Sequence, residues 1–249
     1  MGILKELTKE YFGEKVRKED EINIDGLEVK IVSFKDNNGN YHGRGYKPND
    51  IDTLKELLKR MIEVRGDEGD FNDIDTSEIK SMMMLFYYNE TFNGDISGWD
   101  VSSVEDMSAM FCEAKSFNQD ISNWTFPNVT NMHCMFQNAT SFNQPIGNWD
   151  VSSVEDMSFM FQNATSFNQP IGGWKFPNVT DMSFMFRSAT SFNQDISDWK
   201  FPKVKKMGSM FKGATKFNQN LSSWNLTGID KNDIFKDCPI KDEFKPKMK

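Results

Sequence analysis

Hydrophobic and polar positions recur along this chain at a fixed interval of 25 residues. The line V-x-x-M-x-x-M-F-x-x-A-x-x-F-N-x-x-I-x-x-W returns without insertion or deletion, and its tryptophans are Trp99, Trp124, Trp149, Trp174, Trp199 and Trp224. A fixed period of this length is typical of stacked repeats, since one repeat cannot bury its apolar face alone. We therefore predict a stack of repeats that share one continuous core.

Within each repeat, a helical spacing follows an extended one. Apolar residues at steps of three or four predict one face of a short helix, as in Val154, Met157, Met160, Phe161 and Ala164. Just before them, Trp149 and Val151 are two residues apart, which predicts a strand with both side chains on one side. Ser152 and Glu155 have the spacing of a capping box, so we expect the helix to begin there. Successive strands would then pair side by side, about 4.8 Å apart.

Two residue types in the repeat have more than one interpretation. An asparagine follows the second phenylalanine of every copy, as Asn143 does. Its amide could bond the backbone of its own or the next repeat, or it could contact a ligand; we favour the backbone ladder. Of the 16 methionines, 13 lie between Met82 and Met210. They could line a binding groove, but the repeat spacing favours pliable filling of the core.

The repeats resemble those of the BspA-like leucine-rich-repeat surface proteins, with the 25-residue period of the mycoplasma type. The lines "FNDIDTSEI", "FNGDISGWDVSSVEDMSAMF" and the copies after them carry the resemblance, from about Phe71 to Trp224. It implies an α/β repeat solenoid, a right-handed leucine-rich-repeat-like stack of strand–helix coils. It also implies a bacterial protein that binds other proteins, often at a cell surface.

The chain divides into four segments by pattern. Residues 1–46 read as an N-terminal helix followed by a small β-meander, with turn signals at Asp25-Gly26 and at Asn37–Asn40. Residues 47–75 contain the amphipathic line "NDIDTLKELLKRMIEVRG", which predicts a capping helix and a loop. Residues 76–224 hold six repeats, and residues 225–249 hold a partial seventh repeat and a C-terminal cap. Both ends of the stack are therefore expected to be capped.

Charge is distributed unevenly over a net value of −8. Residues 76–199 carry 4 Lys or Arg against 14 Asp or Glu, whereas residues 200–249 carry 12 against 5. An acidic body argues against a nucleic-acid partner, because phosphates need Lys and Arg to displace counterions. It would steer basic protein surfaces instead, or serve only solubility.

Candidate chemistry is sparse. Cys112, Cys134 and Cys238 occupy non-equivalent positions, and the two histidines, His42 and His133, have no metal-ligand spacing relative to them. The sequence offers no nucleophile elbow, phosphate loop or metal motif. We therefore expect no catalytic residues, no metal and no cofactor.

The sequence leaves the compartment open. The opening "MGILKELTKEYFGEKV" has no continuous apolar stretch, so we expect no secretory signal, and no segment has transmembrane length. This pattern is typical of a cytoplasmic protein, whereas the family resemblance implies a surface or secreted one.

Binding residues are expected on the concave sheet surface, which the residues flanking each inward tryptophan would face in a leucine-rich-repeat-like coil. The residue after each tryptophan varies while the core positions hold, which is typical of a binding surface and also of a neutral solvated face. Phe159 and Phe184 are further candidates, since other copies have Ala109, Cys134 or Ser209 in that position, although packing between neighbouring helices explains them equally well. The variable row comprises Asp100, Thr125, Asp150, Lys175, Lys200 and Asn225.

Three functions remain open from the sequence. The first is an adhesin-like module that binds a protein partner through a concave face. The second is an intracellular acidic inhibitor, of the immunity type, that blocks a basic partner. The third is a structural module that associates end to end through its oppositely charged ends, although we expect a monomer. We favour the first on the resemblance.

Overall fold

The structure is a computed structural model, and it describes residues 20–24, 27–35 and 41–247. The helix predicted at the N-terminus lies outside the described residues. Three antiparallel strands come first: β1 (Asp20–Ile24), β2 (Leu27–Lys35) and β3 (Tyr41–Lys47). They form one sheet in the order β1-β2-β3, with an irregularity in the β2–β3 register between Ser33 and Lys35.

A single α-helix, α1 (Ile51–Arg65), links this sheet to the repeats in the described chain. Asp50 caps its N-terminus by accepting the Thr53 N–H at 2.8 Å, and Gly66 ends it with a φ of 80°. The apolar face predicted from the sequence is buried, with Leu54, Leu57, Leu58 and Met61 at 0–3% exposure. Strand β3 reaches the repeats directly, because the backbone of Tyr46 bonds Asp73 and Asp75.

The repeats join through an eight-residue segment that we call the rung. Each rung lies beside the next one, and four backbone hydrogen bonds connect the two. Between the fourth and fifth rungs, for example, the N–H groups of Met157 and Phe159 donate to the carbonyls of Asp181 and Ser183, at 3.1 and 2.9 Å. Isolated parallel bridges mark the same contact. The rungs are residues 81–88, 106–113, 131–138, 156–163, 181–188, 206–213 and 230–237.

The prediction of a short helix in each repeat is wrong. Residues 66–241 of the described chain contain turns and isolated bridges but no α-helix. The cause is the backbone at two positions of every rung: Phe159 and Asn163 have φ values of 61° and 57°, in the left-handed region. A helix cannot pass through such residues, so the N–H groups bond the next repeat instead of the carbonyl four residues back.

The predicted capping box and strand pairing also differ from the structure. Ser152 donates its N–H to Asp150 Oδ1, and the Glu155 N–H bonds Thr130 of the preceding repeat, so no helix begins there. Trp149 and Val151 are both buried as expected, at 4% and 1% exposure. Neither lies in a strand, since the repeats pair at the rungs.

The core consists of columns of identical side chains. The inward methionines, such as Met157 and Met160, are fully buried, which confirms core filling. Phenylalanines stack from rung to rung with ring centroids 5.5–5.8 Å apart, from Phe86 to Phe235. Most tryptophans tie neighbouring repeats together, as where Trp174 Nε1 donates to the Ile146 carbonyl at 3.2 Å.

The predicted asparagine ladder is confirmed. The Asn168 N–H donates to Asn143 Oδ1 at 2.9 Å, and the same bond recurs from Asn93 up to Asn218. The next residue strengthens it, because Gln169 Nε2 donates to both oxygens of Asn143. The ladder thus satisfies backbone groups in a segment of the repeat that lies outside the rungs.

Residues 238–247 close the C-terminal end. They include a short 3-10 helix, Asp242–Phe244, and the Leu221 N–H donates to the Phe244 carbonyl at 2.8 Å. The Lys241 N–H donates to Asn218 Oδ1, taking the place that the next asparagine would have in the ladder. The right-handed leucine-rich-repeat-like solenoid as a fold class stays a prediction.

Candidate protein-binding surfaces

The six residues that follow the tryptophans are exposed and lie in one register. Three of them have a structural role, because Asp100, Asp150 and Asn225 each accept the N–H of the residue two positions on. The bonds from Ser152 hold the pKa of Asp150 below its ordinary value. Thr125, Lys175 and Lys200, at the same position, accept no such bond. At three of the six positions, therefore, the residue type is explained by the turn that it stabilises.

Phe159 and Phe184 lie on the rungs, and their rings stack with centroids 4.5 Å apart. Both are half-buried, and both have φ values of 61°. The Arg187 guanidinium lies 5.7 Å from the Phe184 ring, and the His133 ring meets Phe159 edge-on at 5.5 Å. The structure thus separates this aromatic pair from the row after the tryptophans, since the two belong to different segments of the repeat.

Sequence reasoning missed a third feature, an apolar group on the first rung. Met83, Met84, Tyr87 and Tyr88 are 39–59% exposed, and we call them the first-rung cluster. The rings of Tyr87 and Tyr88 pack edge to face at 4.5 Å. A signal was available in the line "SMMMLFYYNE", because the second rung has Ser, Ala, Cys and Glu at these four positions. Large apolar residues at exposed positions are typical of a surface that contacts a partner.

A cavity of about 270 Å³ adjoins the first-rung cluster, between α1 and the first rung. Lys55 and Lys59 lie on its helix side, and Leu85, Phe86 and Asn89 lie on its rung side. It is small for a ligand pocket, for which about 300–1,000 Å³ is usual. The cavity follows from the packing of the capping helix.

The cysteines of the repeats are poor nucleophiles. Burial raises the pKa of Cys112 to about 11 and that of Cys134 to about 12. The Cys112 thiol donates to Gln137 Oε1 at 3.4 Å, and all three cysteines are free. Among the described residues, no three His, Cys, Asp or Glu side chains come together as metal ligands.

The part of the chain that the structure describes has no helix both long and apolar enough to span a membrane. Its surface offers rows of repeated positions.

Comparison with known proteins gives one match. Residues 53–170 and 145–245 match the family described as "Mycoplasma protein of unknown function, DUF285". No curated protein and no solved structure matches the chain. The two matches overlap within the repeats and together span most of α1, all seven rungs and the 3-10 helix. The chain therefore belongs to this mycoplasma-type, repeat-containing family.

Proposed function

We propose that this chain is a non-catalytic protein-binding module, adhesin-like and of the BspA-like type, with its repeats forming a leucine-rich-repeat-like solenoid. The observation that carries the proposal is the Phe159–Phe184 pair, stacked at 4.5 Å on the outward side of the rungs. Inward positions keep one residue type from repeat to repeat, whereas this outward position changes from Ala109 to Cys134 to Phe.

The backbone at this position makes the two phenylalanines costly. A left-handed conformation costs a residue with a Cβ roughly 1–2 kcal/mol and is least favourable for a bulky side chain, and each Phe has a φ of 61°. The frame accepts a smaller residue there, since Ala109 and Ser209 have the same left-handed backbone, with φ at 52°. Because the strained backbone recurs in every rung, the choice of phenylalanine over a smaller residue is what favours a functional role at these two positions.

The neighbours of the pair suit a protein partner. Aromatic and arginine side chains dominate the binding energy of protein interfaces, and Arg187 adjoins Phe184. The outward side of the rungs is therefore our preferred recognition surface. The row after the tryptophans is the second choice, because Asp100, Asp150 and Asn225 already accept turn hydrogen bonds.

The acidic-inhibitor alternative receives less support. Eight of the nine aspartates in residues 76–199 accept the N–H of the residue two positions on. Their carboxylates stabilise turns, so the net acidity has a local structural cause. Binding of a basic partner would not require the aspartates to recur at turn positions, so their regular spacing favours the structural explanation.

A photo-crosslinking experiment tests the proposal. A photoreactive benzoyl-phenylalanine in place of Phe184 should capture a protein on intact cells, whose affinity is then measured by calorimetry with purified components. The double variant Phe159→Ser/Phe184→Ser should bind at least about tenfold more weakly, since hot-spot truncations cost about 2 kcal/mol or more. The matched control, Lys175→Ser/Lys200→Ser, should bind normally.

The two double variants distinguish the two candidate surfaces. If only Lys175→Ser/Lys200→Ser lost binding, recognition would belong to the row after the tryptophans. Protease treatment of intact source cells decides between the two functions: digestion of the chain supports the adhesin-like role, and full protection supports the intracellular inhibitor.

A further inference from the structure

The hydrogen bonds between rungs all point in one direction. In every interior rung, alternate N–H groups donate to the following rung, and alternate carbonyls accept from the preceding one. Tyr88, for example, donates to Cys112, and Glu113 donates to Gln137. Interior rungs are therefore paired on both edges, whereas the first and last rungs have only one neighbour each.

The first rung presents acceptors at its open edge. Four carbonyl oxygens there accept no hydrogen bond within the described part of the chain. They are spaced at every second residue, as in the rungs that do pair. These carbonyls belong to Ser81, Met83, Leu85 and Tyr87.

The last rung presents the matching donors. Four of its N–H groups donate to nothing in the chain from residue 41 to residue 247. Each stands where an interior rung has the N–H that bonds the following rung. These N–H groups belong to Lys231, Asp233, Phe235 and Asp237.

Both open edges already have the rung conformation. Met84 and Tyr88 on the first rung have φ values of 57° and 59°, and Asp233 and Asp237 on the last have 57° and 56°. Pairing would therefore require no rearrangement of either backbone, and a preorganised edge avoids the ordering cost that lowers affinity.

We propose that the last rung of one copy of this chain pairs with the first rung of a second copy, continuing the ladder head to tail. Lys231 N–H would meet the Ser81 carbonyl, and the other three donors would follow in register. This proposal is independent of the protein-binding function. The contact is heterologous, and because it continues the stack in its own direction, copies would add in a line and not close into a ring.

Side-chain exposure supports the same contact. Met83 and Tyr87 of the first-rung cluster are 45% and 40% exposed, but Ser108 and Cys112, their counterparts one rung on, are 7% and 5% exposed. The cluster is thus exposed because no rung precedes it. A second copy would cover it and remove apolar surface from water.

Charge at the two ends is complementary. Residues 48–75, around the first rung, carry four Lys or Arg against nine Asp or Glu, a net charge of −5, whereas residues 200–249 have a net charge of +7. Part of each edge stays exposed beside its cap: Met83 and Tyr87 are exposed although α1 lies against Leu85 and Phe86, and residues 238–247 lie against Phe217–Leu221. Exposed Asn232 and Lys236 flank the last edge.

Sedimentation velocity of the full chain over a concentration series tests the proposal. We expect species that grow with concentration without a fixed final size, and that shrink when salt is raised from about 0.05 to 0.5 M, because screening weakens the attraction of the ends. The variant Met83→Lys/Tyr87→Lys should stay monomeric, since lysine on an open edge blocks pairing. Asn123→Lys/Ser166→Lys adds the same charge at two exposed positions away from both edges and should associate normally.

Two further measurements fix the geometry. Lys231→Pro removes one of the four donors at a position without a left-handed φ, and should weaken association about fivefold to tenfold. The variant Met83→Lys/Tyr87→Lys still has an open last rung, so it can bind the first rung of a natural chain and end the assembly there. Adding it to the natural chain should therefore shorten the assemblies. Unfolding curves of all variants verify that the fold is intact.

Several results would overturn the proposal. One is a monomer at every concentration and salt; if removing residues 1–19 then allowed association, that segment would be the occupant of the edge. A second such result is that Lys231→Pro associates normally while Met83→Lys/Tyr87→Lys does not associate. The contact would then join the first-rung clusters of two copies.

Discussion

At the scale of single residues, the left-handed positions make the rung. Thirteen non-glycine residues in the described chain have φ between 52° and 64°, and all lie on rungs. Only Gly213 occupies such a rung position with the residue type that tolerates it best. The chain therefore retains strain at regular intervals in exchange for hydrogen bonds between repeats.

This strain can be measured with one pair of alanines. Ala109→Gly should raise the free energy of unfolding by about 0.5–1 kcal/mol, because relief of the left-handed strain exceeds the entropy cost of glycine. Ala114→Gly, at a fully buried position without a positive φ, should lower it by about 1 kcal/mol. Urea unfolding of both variants provides the comparison. If both substitutions changed the free energy of unfolding in the same direction, the left-handed backbone at Ala109 would not be a source of strain.

The asparagine ladder makes a second residue-scale prediction. Asn143→Ala removes the acceptor of the Asn168 N–H and one acceptor of Gln169. We expect the free energy of unfolding to fall by about 1 kcal/mol, the usual net value of a hydrogen bond, since the lost bond is half-buried. Asn143→Asp keeps the side-chain oxygen and should lose much less in the same urea titration. A loss as large as that of alanine would indicate that the ladder acts through packing.

The turn aspartates predict a response to acid. Hydrogen bonds from Ser197 hold the pKa of Asp195 below the ordinary value of 3.8. Its contribution to stability is therefore present above pH 3.8 and is lost as the pH falls through the lower folded pKa. Asn220, 25 residues after Asp195, accepts the N–H of Ser222 in the same way, and its amide does not titrate.

Asp195→Asn should thus gain stability relative to the natural chain as the pH falls from about 7 to about 3. The measurement is urea unfolding at both pH values. Asp198→Asn is the control, because Asp198 makes no hydrogen bond within the described chain. A relative stability of Asp195→Asn that does not change with pH would contradict the assignment.

At the scale of elements, the spacing of apolar residues predicted the inward face correctly and the backbone wrongly. Val154, Met157 and Phe161 are all fully buried. Successive turns with bonds over three residues, such as Met160 N–H to the Met157 carbonyl, turn side chains inward at helix-like intervals. The spacing alone cannot distinguish these turns from a helix, since the partners of alternate N–H groups lie in another repeat.

The candidate site was predictable to a similar degree. The sequence singled out Phe159 and Phe184, because they interrupt a row of small residues. It did not indicate that they stack or that Arg187 adjoins them, since those contacts depend on the rung geometry. The large apolar residues of the first-rung cluster were visible in the line "SMMMLFYYNE", but their exposure was not, because it depends on the absence of a preceding rung.

The phenylalanine columns predict how an interior repeat differs from the last one. Phe161 is fully buried and contacts the rings of Phe136, Phe167 and Phe186. Phe161→Ala should therefore lower the free energy of unfolding by about 3–5 kcal/mol. Phe235→Ala, half-buried at the end of the column, should lower it by about 1–2 kcal/mol in the same guanidinium titration. Equal losses would argue against stacking as the main source of stability.

At the scale of the whole molecule, the rungs are interchangeable, and this too can be tested. Deleting residues 145–169 removes one complete period and joins equivalent positions. The shortened chain should fold cooperatively, with a modest loss of thermal stability, because stability in such stacks is approximately a sum over neighbours. Deleting residues 145–167 instead shifts the register by two positions and should abolish the cooperative transition. Calorimetry distinguishes the two, and failure of the 25-residue deletion would show that repeats are individually specialised.

The common direction of the rung hydrogen bonds has an electrical consequence. Each peptide group carries a dipole of about 3.5 D, and the N–H groups that join the rungs all point toward the C-terminal repeat. These rung dipoles outnumber the opposed N–H groups, such as those of Glu155 and Asn168, that bond the preceding repeat, so the positive pole of the stack lies at the C-terminal end. Every added repeat lengthens this dipole without altering its poles, so a longer relative would be more strongly polar while presenting the same two ends to its surroundings.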